Sequence, residues 1–213
     1  VKNTLMKSTA VVFDRPKKLS LQALELRNIE AGQVEVAVQY SGISTGAERM
    51  LWDGSMSSLP GMDYPLIPGF ETFGQVVKAH KGAKLKEGDM VFVPGANCFS
   101  GVKSMYGGAA SRLVVSDTQV LPVSDALGSD AVLLALAATA YHAVSGGGTQ
   151  EPFTPPDLII GHGVMGRLLA RLTVAAGCPA PTVWETQPEI AKGAHGYEVI
   201  RPEDDPRKDY RAI

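Results

Sequence analysis

The chain has 213 residues, 45% of them hydrophobic, a formal net charge of −2 and two cysteines, enough for one large domain or two small ones. A near-neutral balance excludes the basic face that nucleic acid requires. Cys98 and Cys178, 80 residues apart, make no disulfide framework, and the longest apolar run, eight residues over 131–138, falls far short of the roughly 18 that cross a membrane. With no signal-peptide pattern in VKNTLMKSTAVVF, the expectation is a soluble cytoplasmic protein without a transmembrane segment, open to phosphate-bearing small molecules.

From residue 9 to residue 123 the pattern is short strands cut by Gly and Pro. Ala10-Val11-Val12-Phe13, Val34-Glu35-Val36-Ala37-Val38, Gln75-Val76-Val77, Met90-Val91-Phe92-Val93 and Arg112-Leu113-Val114-Val115 read as strands. Ala31-Gly32, Pro60-Gly61, Pro68-Gly69, Pro94-Gly95 and Gly107-Gly108 read as turns between or beside them. Many short strands with such turns predict a small, mostly β, barrel-like domain. Near Ser124 the composition changes. Helix formers predict a helix over 130–144, broken by Gly146-Gly147-Gly148-Thr149. A Pro-rich stretch then leads into a β-α-β pattern. Leu158-Ile159-Ile160 reads as a strand. A helix follows over 165–176, with Met165, Leu168, Leu169, Leu172 and Ala176 on one apolar face and Gly177 as its stop. Thr182-Val183-Trp184 and Tyr197-Glu198-Val199-Ile200 supply two further strands. The expected division is 8–126 for the β domain and 127–213 for a linking helix plus the first part of an α/β dinucleotide domain.

Gly161-His162-Gly163-Val164-Met165-Gly166 has G-x-G-x-x-G spacing between a strand and a helix, the context that gives this pattern meaning. Gly161 permits the tight turn, Gly163 lets the backbone approach a pyrophosphate, and Gly166 allows close helix–strand packing. The N–H groups of the helix start, at Val164 and Met165, face the phosphates. Glu185 follows 19 residues after Gly166, where a carboxylate accepts ribose hydroxyls and repels a 2′-phosphate. NAD is therefore the expected cofactor, and a ligand-free glycine turn with a solvated Glu is the alternative. His162 is expected to be exposed beside the pyrophosphate.

Tyr64-Pro65-Leu66-Ile67-Pro68-Gly69-Phe70-Glu71-Thr72-Phe73-Gly74 resembles the Y-P-x-x-x-G-H-E-x-x-G motif of medium-chain dehydrogenases. Gly88-Asp89-Met90-Val91 resembles their G-D-x-V, and Gly107-Gly108-Ala109-Ala110 and Val120-Leu121-Pro122 match in order. The resemblance implies a GroES-like β-barrel catalytic domain followed by a truncated Rossmann domain. The stretches SGISTGAERMLWDG, PGMDYPLIPGFE, LLALAATAYHA, IIGHGVMGRLLARLTVAAG and PEDDPRKDYRAI narrow it. They are similar to the branch of the family that uses NAD to oxidise the hydroxyethyl side chain of bacteriochlorophyllides to acetyl. That likeness implies a tetrapyrrole (bacteriochlorophyllide) substrate.

Zinc-bearing relatives take metal ligands from a Cys and from the His of G-H-E. The matching positions here hold Ser44 and Phe70, neither a useful zinc ligand. Cys98 is at most one of the four thiolates of their structural zinc site. The resemblance thus implies no metal, and it places Ser44, Thr45 and Glu48 on the loop of the missing ligand, with Glu71 nearby. These four are the candidate catalytic residues, taking or relaying the alcohol proton. Turn-stabilising hydroxyls at Ser44 and Thr45 are an equal alternative, and an internal salt bridge is favoured for Glu71. Met50, Trp52, Met56 and Met62 are either core or a flat surface for a ring. His142 is expected to pack, and the charged run over 201–211 to be a solvated connection.

Two competing readings are a zinc-free quinone or enoyl reductase of the same superfamily and a nucleotide-binding protein without catalysis. A homo-oligomer is compatible with each. The 57 residues from Asp157 onward hold too few strands for a doubly wound sheet, so the chain is expected to be a fragment, inactive alone.

Overall fold

The computed structural model describes residues 6–56, 63–104, 106–145 and 153–213. The Pro60-Gly61 turn, Met62 and the break at Gly146–Thr149 lie outside them. The chain divides into two compact units, Val1–Ala135 and Leu136–Ile213.

In the first unit β1 (Lys7–Arg15) and β2 (Lys18–Glu25) form an antiparallel hairpin. β3 (Gln33–Ser41), β4 (Thr72–Ala79), β5 (Met90–Val93), β6 (Arg112–Ser116) and β7 (Leu121–Pro122) form an antiparallel sheet in the order β6-β3-β4-β5-β7. The hairpin is laced to the sheet region by Val11 N–H to the Ala109 carbonyl (2.9 Å) and Ser111 N–H to the Thr9 carbonyl (2.8 Å). Val12, Val34, Val36, Val91 and Leu113 fill the space between, all fully buried, as the alternation of strand residues demands. Glu35 of β3 is also buried, and its carboxylate is paired with Arg112 of β6.

Several elements escaped the sequence reading, among them β2 and the helix between β3 and β4. β2 alternates Leu19, Leu21 and Ala23, yet these face outward, with Leu19 50% and Leu21 71% exposed. Between β3 and β4 runs α1 (Ala47–Asp53), preceded by Gly46 with no side-chain cap, so the usual start signal is missing.

The helix predicted over 130–144 is a 3-10 segment, Asp125–Leu133, continued by α2 (Leu134–Val144). Together these 20 residues reach the length and hydropathy of a membrane-crossing helix, a test that core helices of soluble proteins also pass. Gly128, at φ 50° and ψ −131°, breaks the stretch, and Ala131 is fully buried against Phe73 and Met90. Those are features of a short connecting element. His142 is exposed on α2 rather than packed, a correction to the sequence reading.

In the second unit β8 (Leu158–Ile160), β9 (Thr182–Trp184) and β10 (Glu198–Ile200) form a parallel sheet in the order β10-β9-β8. α3 (Val164–Ala175) joins the first two strands, and α4 (Pro188–Ala191) lies between the second and third. This is the arrangement of the first half of a Rossmann sheet. The buried stripe of α3 is Gly166, Ala170 and Thr173, not the longer side chains predicted. Met165, Leu168 and Leu172 are half-buried and Ala176 is exposed. Small residues win the inner face because the helix lies close to the strands. The charged run is not a simple solvated connection either. Asp205 is buried and accepts from the Trp184 indole N–H (2.6 Å), the Tyr210 hydroxyl (2.5 Å) and Arg207 N–H (2.8 Å).

Candidate functional site

The β3–β4 ladder ends at the pair Ser41 and Thr72. Both strands therefore release their chains at one point, where Gly42 N–H donates to the Glu71 carbonyl at 2.7 Å. Beyond it, Ser44 and Glu48 cap the start of α1 reciprocally. Ser44 N–H donates to the Glu48 carboxylate at 2.8 Å, and Ala47 N–H donates to Ser44 Oγ at 3.3 Å. The turn-stabilising role weighed for Ser44 is thus present. Thr45 stays exposed. The structure brings Ser44, Thr45, Glu48 and Glu71 into one neighbourhood.

Glu48 and Glu71 are both buried, at 5% and 4% exposure. Glu71 is pressed against Gly42, where a Cβ would collide with its carboxylate. The salt bridge expected for Glu71 is not formed among the described residues, and its Oε1 has no hydrogen-bond partner. Burial pushes the Glu71 carboxyl above the ordinary range. Burial also raises Glu48, the Ser44 N–H pulls it back, and the charge of Glu71 raises it again. The folded state thus holds the Glu71 proton more tightly than the unfolded chain does. Stability contributed by this group falls as pH rises from the ordinary value of 4.5 through the raised one. Glu71→Gln should therefore raise the melting temperature at pH 7, with the gain vanishing below pH 4.5. Melting curves at the two pH values check this, and an unchanged midpoint at pH 7 would remove the charge penalty from the account.

An open pocket of about 640 Å³ lies over this point, within the first unit. Ser44, Thr45 and Glu48 contribute to its wall beside Phe13, Ile43 and Trp52, while Glu71 stands behind Gly42. Trp52 meets Phe13 edge-on with centroids 5.7 Å apart. Of the residues weighed as core or ring surface, Trp52 lines the pocket, Met56 packs on the core around Phe13, Leu51 and Leu66, and Met50 is exposed. The sequence reading missed Leu19, Leu21, Ile43 and Arg49, which also line it. The alternation in residues 18–25 could have found the first two. Phe70 packs on Tyr106 with centroids 5.0 Å apart. Among the described residues no three His, Cys, Asp or Glu side chains converge as metal ligands would. Cys98 and Cys178 are free thiols, and burial lifts Cys98 to about 11.

In the second unit, Gly161 follows β8 at φ 99°, a conformation that favours glycine. Gly163 precedes α3, and a Cβ there would meet nothing within 4 Å. The first N–H groups of α3, including those of Val164 and Met165, have no partner within the helix. His162 is not exposed as expected but fully buried. Its Nδ1 lies 2.8 Å from the Ile190 carbonyl, and its Nε2 lies 2.7 Å from the Tyr197 hydroxyl. A carbonyl only accepts, so Nδ1 carries a proton, and Nε2 and the Tyr197 hydroxyl share the second hydrogen bond. The side chain is an internal strut of the loop. Arg167 adds another, donating to the His162 carbonyl at 3.0 Å and the Ile190 carbonyl at 2.7 Å. Glu185, just beyond β9, accepts Gln187 N–H at 2.8 Å and His162 N–H at 3.0 Å. These N–H donors hold its carboxyl below the ordinary range, so it stays charged.

Residues 30–125 match the family model for the alcohol dehydrogenase GroES-like domain. The chain is 49% identical over 209 residues to a protein of Rhodobacter capsulatus named 2-desacetyl-2-hydroxyethyl bacteriochlorophyllide A dehydrogenase, covering 98% of this chain and 65% of the relative. A protein of the same name from Cereibacter sphaeroides is 46% identical over 213 residues, with 98% and 66% covered. The chain thus spans just under two thirds of the length of these curated relatives. The fold is shared with acetophenone reductase from Geotrichum candidum, solved in complex with NAD, at a TM-score of 0.73 and 20% identity over 99% of this chain and 68% of that one.

Proposed function

We propose that this chain carries the pocket and the pyrophosphate loop of a cytoplasmic, NAD-dependent dehydrogenase. Its reaction is oxidation of the 1-hydroxyethyl side chain of a bacteriochlorophyllide to acetyl, a step of bacteriochlorophyll synthesis. The observation that carries this reading is the 49% identity, over nearly the whole chain, to a relative of that name. The apolar pocket with a buried carboxylate in its wall supports it.

The second unit fits a dinucleotide. Gly163 leaves open space at the loop, the start of α3 offers N–H groups, and Glu185 is a charged acceptor for ribose hydroxyls. His162 contributes its backbone only. NAD held by these residues would supply the hydride acceptor for the carbinol carbon. The carbinol proton goes to Glu48, whose burial and neighbouring Glu71 charge raise its pKa and so make it a stronger base than an ordinary carboxylate. Thr45 is placed to relay that proton, Ser44 holds the Glu48 loop in shape, and Glu71 tunes Glu48 through its charge.

The reading is zinc-independent, because Ser44 and Phe70 cannot serve as ligands. Elemental analysis of the purified protein should find no stoichiometric zinc; one zinc per chain that survives dialysis would overturn this. Full-length protein should prefer NAD to NADP, and Glu185→Ala should narrow the preference while also weakening NAD binding, since the His162 N–H loses its acceptor. An unchanged preference would remove Glu185 from the argument. The decisive assay is NAD-coupled turnover of a 1-hydroxyethyl chlorin by full-length protein. Equal activity on small aliphatic alcohols would count against the assignment, because remote ring contacts must position the carbinol.

A further inference from the structure

We propose that Arg49 anchors the acidic side chain of the tetrapyrrole, while Leu19, Leu21, Ile43 and Trp52 carry the face of the ring. The inference rests on the bacteriochlorophyllide reading and assigns how such a substrate is held.

The pocket wall contains one cationic side chain, Arg49, and one anionic side chain, Glu48. They are sequence neighbours on α1, but about 100° apart around the helix. Glu48 turns inward and is buried with Leu51, whereas Arg49 is exposed and shares its helix face with Trp52 at i+3. The two charges do not neutralise each other. Glu48 is raised, and Arg49 is not among the groups that act on it. Arg49 acts weakly on Asp53, one turn along, yet forms no ion pair among the described residues. A guanidinium at the wall of an apolar pocket thus keeps its fork of donors for something that enters.

Around it the surface is apolar and uncovered. Leu19 is 50%, Leu21 71% and Ile43 82% exposed, and all three line the same pocket as Trp52. Aliphatic and aromatic side chains gathered in this way mark a surface meant to be covered. A bacteriochlorophyllide has the matching chemistry. It is a flat, apolar macrocycle with one unesterified propionate. Its ring covers the leucines, its carboxylate pairs with Arg49, and its hydroxyethyl group is left for Glu48. A neutral quinone or a simple alcohol would use the apolar wall and leave Arg49 idle.

The test is a fluorescence titration of the chain with a 1-hydroxyethyl chlorin carrying one free propionate and with its methyl ester. Wild-type protein should bind the acid about tenfold more tightly than the ester. Arg49→Gln should bind both with the affinity of the wild type for the ester, and Arg49→Lys should recover part of the difference. Leu21→Asp should weaken acid and ester alike. Melting temperatures should not move, because Arg49 and Leu21 are exposed. If Arg49→Gln keeps the preference for the acid, the anchor is wrong and the substrate reading stands. If neither chlorin binds the wild type, the substrate reading falls as well.

Discussion

Glu48→Gln is expected to lower turnover of a 1-hydroxyethyl chlorin by roughly 10²- to 10⁴-fold while leaving chlorin binding near its wild-type level. The substitution separates shape from proton affinity. A Gln carbonyl can still accept the Ser44 N–H that the carboxylate accepts at 2.8 Å, so the start of α1 keeps its cap. A neutral amide is easier to bury than a carboxylate, so the fold is not weakened. What is lost is the capacity to take the carbinol proton. The same argument fixes the pH dependence. Burial and the Glu71 charge raise Glu48, so the wild-type rate should climb as pH passes upward through that raised value. Glu71→Gln removes one of the two raising causes and should move the rising limb to lower pH. In Glu48→Gln the limb should disappear. A Glu48→Gln enzyme within about threefold of wild type, with the same pH profile, would transfer the proton to another acceptor and sink this assignment.

The sequence carried the pieces whose structure is local. Five strands of the first unit, the strand–glycine–helix order of the second, and the stop at Gly177 follow from periodicity and turn chemistry. The gathering of Ser44, Glu48 and Glu71 does not; a motif resemblance supplied positions that spacing could not. The misses have a common physical origin in tertiary packing. β2 reads as an amphipathic strand, but its apolar side faces the pocket rather than the core. α1 lacks a capping residue at Gly46 because Ser44 and Glu48 do that work from either side of it. His162 looks like a loop histidine open to solvent, yet the carbonyl of Ile190 and the hydroxyl of Tyr197, 28 and 35 residues further on, enclose it. Glu71 was expected to have a cation because buried carboxylates usually do. The fold instead buries it behind Gly42 and leaves one oxygen unpartnered.

The glycines of the pyrophosphate loop make the sharpest structural contrast, since two substitutions of equal size should fail in different ways. A Cβ on Gly166 would run into the Gly161 carbonyl oxygen, and would also stand 3.1 Å from the Gly161 carbonyl carbon and 3.3 Å from Ile159 Cγ2. Gly161 cannot yield. Its φ of 99° is a conformation that other residues rarely adopt, and its N–H is tied to the Trp184 carbonyl at 2.8 Å. Helix α3 must therefore move away from β8, which opens the close contact of Ala170 with Ile159 and Val183. Overpacking of this kind costs about 1–3 kcal/mol. It also carries the N–H groups of the helix start away from the phosphates. Gly166→Ala should lower the melting temperature and weaken NAD binding by about 100-fold or more. Gly163→Ala places its Cβ in open space, so the melting temperature should stay put. NAD affinity should still fall by about tenfold or more, because the methyl occupies the path of the pyrophosphate. Calorimetric titration with NAD beside thermal melts reads both effects. If Gly163→Ala binds NAD like the wild type, the dinucleotide does not cross this loop, and the cofactor role of residues 161–166 is wrong.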